Sequence, residues 1–289
     1  MSKDYELVGL KNGASSVRSL DNGETFHPVA GPIAEAEALY VRQLRLRERV
    51  TRRQQSPEPG LLNGFVIWDV GLGAGANALT AIRQLADIPA ELRVVSFDRT
   101  LGALVFAQEH ATALEFPLEF EDVTDALLRN RRAQFRRGAL GVHWEVHLAD
   151  FPDLMAGSTP LPAPDAIFFD AFSPARNPEM WTLPLFENLF RRLDPQRPCS
   201  LATFSRSTMV RVAMLLAGFY VGIGESIAAK EETTIAANFS DLICRPLDLM
   251  WLERAKVSRN AEPLCEPRYT QQALSSQSWE RLRAHPQFN

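Results

Sequence analysis

The chain has 289 residues, 46% of them hydrophobic, with 16 glycines and 19 prolines. That is an ordinary globular composition, long enough for one or two domains and neither collagen-like nor of low complexity. A net charge of −4 and a pI near 5.8 exclude a uniformly basic nucleic-acid binder while leaving room for a locally basic face. Among 31 basic residues only Lys3, Lys11, Lys230 and Lys256 are lysines. Genome composition alone produces such a bias, and so does a need for the planar guanidinium that grips phosphate and carboxylate at two points. Cys199, Cys244 and Cys265 are odd in number and far apart, so neither a disulfide framework nor a metal site is expected. The first residues hold no apolar signal core and no run of eighteen apolar residues occurs, so the expectation is a soluble, cytoplasmic protein without a membrane partner.

In chain order, Asn12-Gly13 and Asn22-Gly23 are hairpin-closing dipeptides, which predicts short strands over 5–8 and 16–20. Gly31-Pro32 opens a helix predicted over 33–53, since proline costs no hydrogen bond in a first turn. Its second half carries Arg42, Arg45, Arg49, Arg52 and Arg53, mostly three or four positions apart. That spacing predicts one basic helix face, able to track phosphates or simply solvated. Residues 54–60, rich in Gln, Pro and Gly, read as a linker.

From Phe65 the pattern becomes strand, tight turn, helix. Phe65-Val66-Ile67-Trp68 is a continuous apolar run, as expected of a strand covered on both faces. The glycine turn at 71–75 follows, then helical spacing at Ala78, Leu79, Ile82 and Leu85. Further strands are predicted over 92–97, 143–148, 166–169 and 200–204, with a helix over 101–114. A second arginine cluster (Arg129, Arg131, Arg132, Arg136, Arg137) lies between them. A helix capped at Ser205 or Ser207 and stopped by Gly218 leads to a terminal hairpin at 219–221 and 233–236. Alternating strands and helices predict an α/β, Rossmann-like fold with a mostly parallel seven-stranded sheet and helices on both faces. The expected organisation is an N-terminal extension over 1–60, a catalytic domain over 61–245 and a C-terminal extension over 246–289.

Ligands of open parallel sheets bind beyond the carboxyl ends of the strands. Asp69, Asp98, Asp150 and Asp170 stand at or just past four of those ends. A glycine turn lets the backbone approach a ligand, and the helix after it offers free N–H groups to an anion. Gly71-x-Gly73-x-x-Ala76 with Asp98 satisfies a dinucleotide fingerprint. Read as Asp69-x-Gly71-x-Gly73-x-Gly75, the same stretch resembles the first motif of class I S-adenosylmethionine-dependent methyltransferases. An acid ending each of the first four strands and a terminal hairpin suit that second layout better than a dehydrogenase.

The most specific stretch is Asp165-Ala-Ile-Phe-Phe-Asp170-Ala-Phe172-Ser-Pro174-Ala-Arg176-Asn177-Pro178-Glu-Met180-Trp181. It resembles the methyltransferase domain of the bifunctional tRNA 5-methylaminomethyl-2-thiouridine biosynthesis family. The likeness extends to Glu24-Thr25-Phe26-His27, Gly31 and Glu35, to Asn77 after the glycine turn, to 201–205 and to 217–219. It implies methyl transfer from S-adenosylmethionine to the aminomethyl group of a wobble uridine in tRNA. By position it implies that Asp69, Gly71, Gly73, Gly75 and Asn77 hold the amino-acid part of the cofactor. Asp98 would bind the ribose, and Asp150 with Phe151 would face the adenine. Asp170 would orient the acceptor amine and take its proton, Phe172 and Trp181 would shape the base pocket, and His27 and Glu35 would close the site. The family's second, flavin-dependent domain has no room before Asn289, which implies a ready-made amine or a separate flavin-dependent oxidoreductase. Methyl or aminopropyl transfer to a small amine, and a non-catalytic RNA-binding protein on the same fold, are the alternative readings.

Overall fold

A computed structural model describes residues 4–28, 30–55, 64–226 and 232–289. Three short strands, β1 (Tyr5–Gly9), β2 (Ser15–Ser19) and β3 (Glu24–Thr25), form an antiparallel sheet in that order. The two Asn-Gly turns join them, as the dipeptides predict. The helix expected over 33–53 is interrupted. It runs as α1 (Pro32–Ala36), a π-helical turn (Glu37–Arg42) and α2 (Leu46–Gln55), with a break where Arg45 takes a left-handed φ of 51°. The predicted linker begins with Gln54 and Gln55 still in α2; its remainder lies outside the described residues.

The break dissolves the predicted basic face. Arg49 turns inward, donating to Ser200 Oγ at 2.6 Å and to the Asp165 carbonyl at 2.6 Å, with its guanidinium over the Phe65 ring. Arg42 pairs with Glu37 and Glu225, and Arg45 and Arg52 share Glu48. Arg42, Arg45 and Arg52 stay exposed, but the acids beside them offset their charge.

The main sheet has eight strands, not seven. It comprises β4 (Phe65–Val70), β5 (Glu91–Asp98), β6 (Arg132–Arg137), β7 (Leu140–Leu148), β8 (Ala166–Phe169), β9 (Ser200–Thr203), β10 (Tyr220–Ile223) and β11 (Thr234–Ala237). Their order is β10-β11-β9-β8-β4-β5-β7-β6, parallel through the centre and antiparallel at both edges. The extra strand, β6, holds Arg132, Arg136 and Arg137 of the second arginine cluster. Its side chains alternate between exposed and half-buried, and a charged edge strand of this kind discourages pairing with another chain. Charge concealed the strand pattern there.

Helices α3 (Ala76–Gln84), α4 (Gly102–Glu109), α5 (Glu121–Asn130), α6 (Phe151–Ala156), α7 (Leu183–Arg191) and α8 (Thr208–Ala217) flank the sheet. α4 stops five residues short of the predicted end. Beyond 246 the chain forms α9 (Leu249–Val257) and α10 (Ser276–Arg283). Leu247, Trp251, Leu252, Leu264 and Leu282 bury themselves in the same core as β8, α7 and α8. Ala36, Leu39 and Tyr40 do the same in the core on the other face. Both flanking segments are therefore packed into the central fold. Among the described residues no helix is long and apolar enough to cross a membrane.

One buried ion pair ties the amino ends of the central strands. Asp165 and Arg197, 4% and 5% exposed, are joined at 2.6 Å through Arg197 Nε, and the Val66 N–H donates to Asp165 at 2.7 Å. Asp165→Ala would strand the Arg197 charge in the core. It should cost about 3–5 kcal/mol, read as a lower urea midpoint with an unchanged slope.

Candidate active site

The carboxyl ends of β4, β5 and β8 open into a cavity of about 740 Å³, roofed by β1–β3 and the segment after them. A volume of this order holds a nucleoside-sized ligand. Tyr5, Asp21, Glu24, Phe26 and His27 form the roof; Gly71, Gly73, Asn77, Asp98, Phe151 and Asp170 are among the floor residues. A second groove of about 550 Å³ lies at the amino ends of β5 and β7, around Arg93, His143 and Glu145, and holds none of the strand-end acids.

The glycine turn owes its shape to crowding. Gly71 has φ 90°, and a Cβ there would come 2.6 Å from the Asp170 carbonyl oxygen. Gly73 has φ 52°, and a Cβ there would press on the Phe26 ring at 3.2 Å. Only residues without a side chain allow the floor and the roof to approach so closely.

Asp98 braces this turn. Its carboxylate accepts from the Gly73 N–H at 3.0 Å and the Arg99 N–H at 2.7 Å, and burial outweighs those donors to raise its pKa. Above it the Tyr5 phenol is pushed up to about 12 by burial and by the Asp98 charge, so it stays a neutral donor. Asp170 lies on the cavity wall, accepting from Asn77 Nδ2 at 2.7 Å with His27 Nε2 at 3.6 Å. His27 adopts a left-handed φ of 45°, a strained backbone of the kind that gathers at functional sites. Glu35 lines the same cavity, is 6% exposed and accepts from the Ala30 N–H at 2.9 Å. Phe172 lines it beside Phe26, ring centres 5.6 Å apart.

Four candidates sit elsewhere. Gly75 caps α3 with φ 80°, and a Cβ there would meet Leu79 and Leu104, away from the cavity lining. Asp69 lies fully buried beneath the turn, accepting from Ser96 Oγ at 2.7 Å. Asp150 caps α6 and is held by Arg99, whose guanidinium also reaches Glu179 at 3.1 Å; its neighbour Phe151 does reach the cavity and packs on Phe97. Trp181 is 0% exposed and has no free face for a base; its Nε1 donates to the Phe172 carbonyl at 2.7 Å and so fixes the loop. Sequence reasoning passed over Glu24 as a structural element. It accepts from the Ser173 N–H at 2.9 Å and from its hydroxyl, stitching the roof to the loop after β8.

Residues 118–238 match the model of a family described as S-adenosyl-L-methionine-dependent methyltransferase. The tRNA 5-methylaminomethyl-2-thiouridine biosynthesis bifunctional protein MnmC of Pseudomonas savastanoi pv. phaseolicola is 31% identical over 243 residues, 76% of this chain and 33% of that protein. Its counterpart in Methylibium petroleiphilum is 27% identical over 281 residues, 89% of this chain and 39% of that one. The chain thus spans about a third of the length of the curated relatives it matches. The crystal structure of MNMC2 from Aquifex aeolicus superposes with a TM-score of 0.70 at 25% identity, covering 97% of this chain and 83% of that one. The residues present fit S-adenosylmethionine: a glycine turn whose close approach to the Asp170 backbone and the Phe26 ring leaves no room for a Cβ at Gly71 and little at Gly73, a carboxylate at the next strand end, and a buried Asn77 Oδ1 with no partner among the described residues.

Burial pushes the Asp69 carboxyl up to about 7, with Ser96 opposing and the Asp170 and Asp98 charges adding. The folded protein therefore keeps a proton that the unfolded chain releases near pH ~3.9, so this group lowers stability as pH rises from ~4 to ~7. Asp69→Asn should remove that slope: urea unfolding from about pH 5 to about pH 7.5 should shift progressively in the variant's favour.

This fold, this cavity and these relatives identify the chain as an S-adenosyl-L-methionine-dependent methyltransferase domain similar to that of MnmC.

Proposed function

We propose that the chain N-methylates the aminomethyl group of a modified wobble uridine in tRNA. The observation that carries this reading is the Asp170 carboxylate, set on the cavity wall by Asn77 and flanked by His27 and Phe172. The names of the curated relatives supply the substrate class. A cytoplasmic location accords with this reading.

When bound, S-adenosylmethionine supplies an electrophilic methyl group, released as sulfur keeps the S–C bonding pair. The rest falls to the protein. An aliphatic amine is mostly protonated at neutral pH and is no nucleophile in that form. Asp170 accepts a hydrogen bond from the amine, points its lone pair and takes its proton. Alignment supplies much of the acceleration in such an in-line displacement, and the fixed loop from Phe172 to Trp181 sets that alignment. Phe172 and Phe26 present aromatic surface to the uracil ring. Asp98 and Phe151 receive the ribose and adenine. Arg176, exposed on the same loop and without an acidic partner among the described residues, meets a phosphate.

Labelled S-adenosylmethionine should methylate tRNA bearing the aminomethyl group and leave free polyamines untouched. Asp170→Asn should lower kcat at least about 100-fold, the usual share of a general base, with cofactor affinity retained. Arg176→Ala should raise KM for tRNA and flatten its salt dependence. Label on polyamines with none on tRNA would select the small-amine reading.

A further inference from the structure

The cavity that takes the acceptor is acidic. Glu24, Asp98 and Asp170 line it, and each is held by neutral donors: Ser173, the Gly73 and Arg99 backbone N–H groups, and Asn77. Neutral donors leave the negative charge in place, which suits an ammonium or sulfonium and repels a phosphate. An RNA strand that delivers a base into this cavity must therefore keep its backbone on the rim.

One side of the rim is equipped for that. The register aligns the carboxyl ends of the strands from β8 to β10: Phe168 is level with Ala202, and Thr203, Thr234 and Ile223 share the next row. An arginine stands just beyond each of β8, β9 and β10. Arg176, on the loop after β8, reaches the roof turn, where its Nη2 would lie 4.0 Å from a Cβ at Gly23. Arg206 follows the end of β9, just past Phe204, which lines the cavity. Arg245 is fixed against β10, its carbonyl accepting from the Ile223 N–H at 2.9 Å. All three are exposed, and among the described residues none has a side-chain hydrogen bond or an acidic partner. Adjacent strands lie ~4.8 Å apart, so the three steps from β8 to β10 span about 14 Å, a few nucleotides of backbone.

The acids beside β10 and β11 are already taken, Glu225 by Arg42 and Glu232 by Arg211. Arg211 is 3% exposed; burial lowers its pKa, with Glu232 opposing and the Arg254 and Arg206 charges adding. Exposed guanidiniums thus crowd a buried one, a repulsion that a bound anion relieves. The other arginine cluster stands apart. Arg132 is on β6, at the opposite edge of the sheet, and lines the groove that holds none of the strand-end acids.

We propose that Arg206 and Arg245, in line with Arg176, form a phosphate track that carries the substrate's RNA strand from the cavity rim across the carboxyl ends of β9 and β10. The track rests on the tRNA reading above and extends the substrate interface to the segment that leads into α9. A guanidinium grips a phosphate at two points. Such contacts set register and orientation, while the cavity reads the base.

The test is fluorescence anisotropy of the full chain with a labelled anticodon stem-loop RNA bearing an unmodified wobble uridine, titrated over a range of salt. Loss of one phosphate contact on a single strand lowers the slope of log K against log salt by about 0.7, which is about fourfold in affinity at ~0.15 M salt. Arg206→Ala and Arg245→Ala should each show that change, and the double variant about 15-fold. Arg206→Lys should retain the slope, and Arg132→Ala should behave as the unaltered chain. Affinity for S-adenosylhomocysteine and the melting temperature should hold throughout, because none of these side chains lines the cavity. An unchanged slope in both alanine variants overturns the proposal, as does an equal loss in Arg132→Ala or an absence of RNA binding at low salt. Binding needs no methyl transfer, so the two readings fail separately. Arginine-dependent binding without transfer to any tRNA would fault the methylation reading alone. Transfer with an unmoved KM for tRNA in the double variant would fault the track alone.

Discussion

The close approach of two backbones governs this molecule. β4 and β8 run side by side, and the Asp170 N–H donates to the Val70 carbonyl at 2.9 Å as the strands end. Immediately beyond, the chain turns at Gly71 against the Asp170 carbonyl, in space that no Cβ would share. This single contact brings the cradle for the cofactor and the carboxylate for the acceptor into one cavity. Donor and acceptor sites are neighbours because their strands are.

The roof depends on the same contact. Phe26 rests on Gly73, Tyr5 faces Asp98, and Glu24 grips Ser173 on the loop after β8. A three-stranded sheet this small has little core of its own. It is held by the strand ends it covers, so the first thirty residues belong to the site as much as to the fold. Asp98 shows the electrostatic side of this economy: one carboxylate braces the glycine turn through Gly73 and polarises the phenol above it.

Much of this was legible in the sequence because it follows from period and punctuation. Apolar runs at β4 and β8, and acids at or just past the ends of β4, β5, β7 and β8, marked the central strands, and Asn-Gly dipeptides marked the roof. What escaped depends on tertiary context. Arg132, Arg136 and Arg137 look like a charge cluster, yet they lie in β6, an edge strand whose six residues alternate between exposed and half-buried. Arg49 has helical spacing to its fellow arginines, but the left-handed Arg45 rotates it into the core. Trp181 sits in a signature loop and reads as a stacking residue, while its burial gives it a bracing role. The tail lost its rhythm in the sequence because α9 and α10 bury only a few residues each.

A crystal structure of the chain with S-adenosylhomocysteine tests the central claim most directly. The sulfur should lie in the roofed cavity with the face that carries the methyl group in S-adenosylmethionine turned toward Asp170, leaving between them room for a methyl carbon and an amine nitrogen about 3–3.5 Å from that carbon. A ligand whose sulfur faces away from Asp170, or one seated in the groove at the amino ends of β5 and β7, would contradict it.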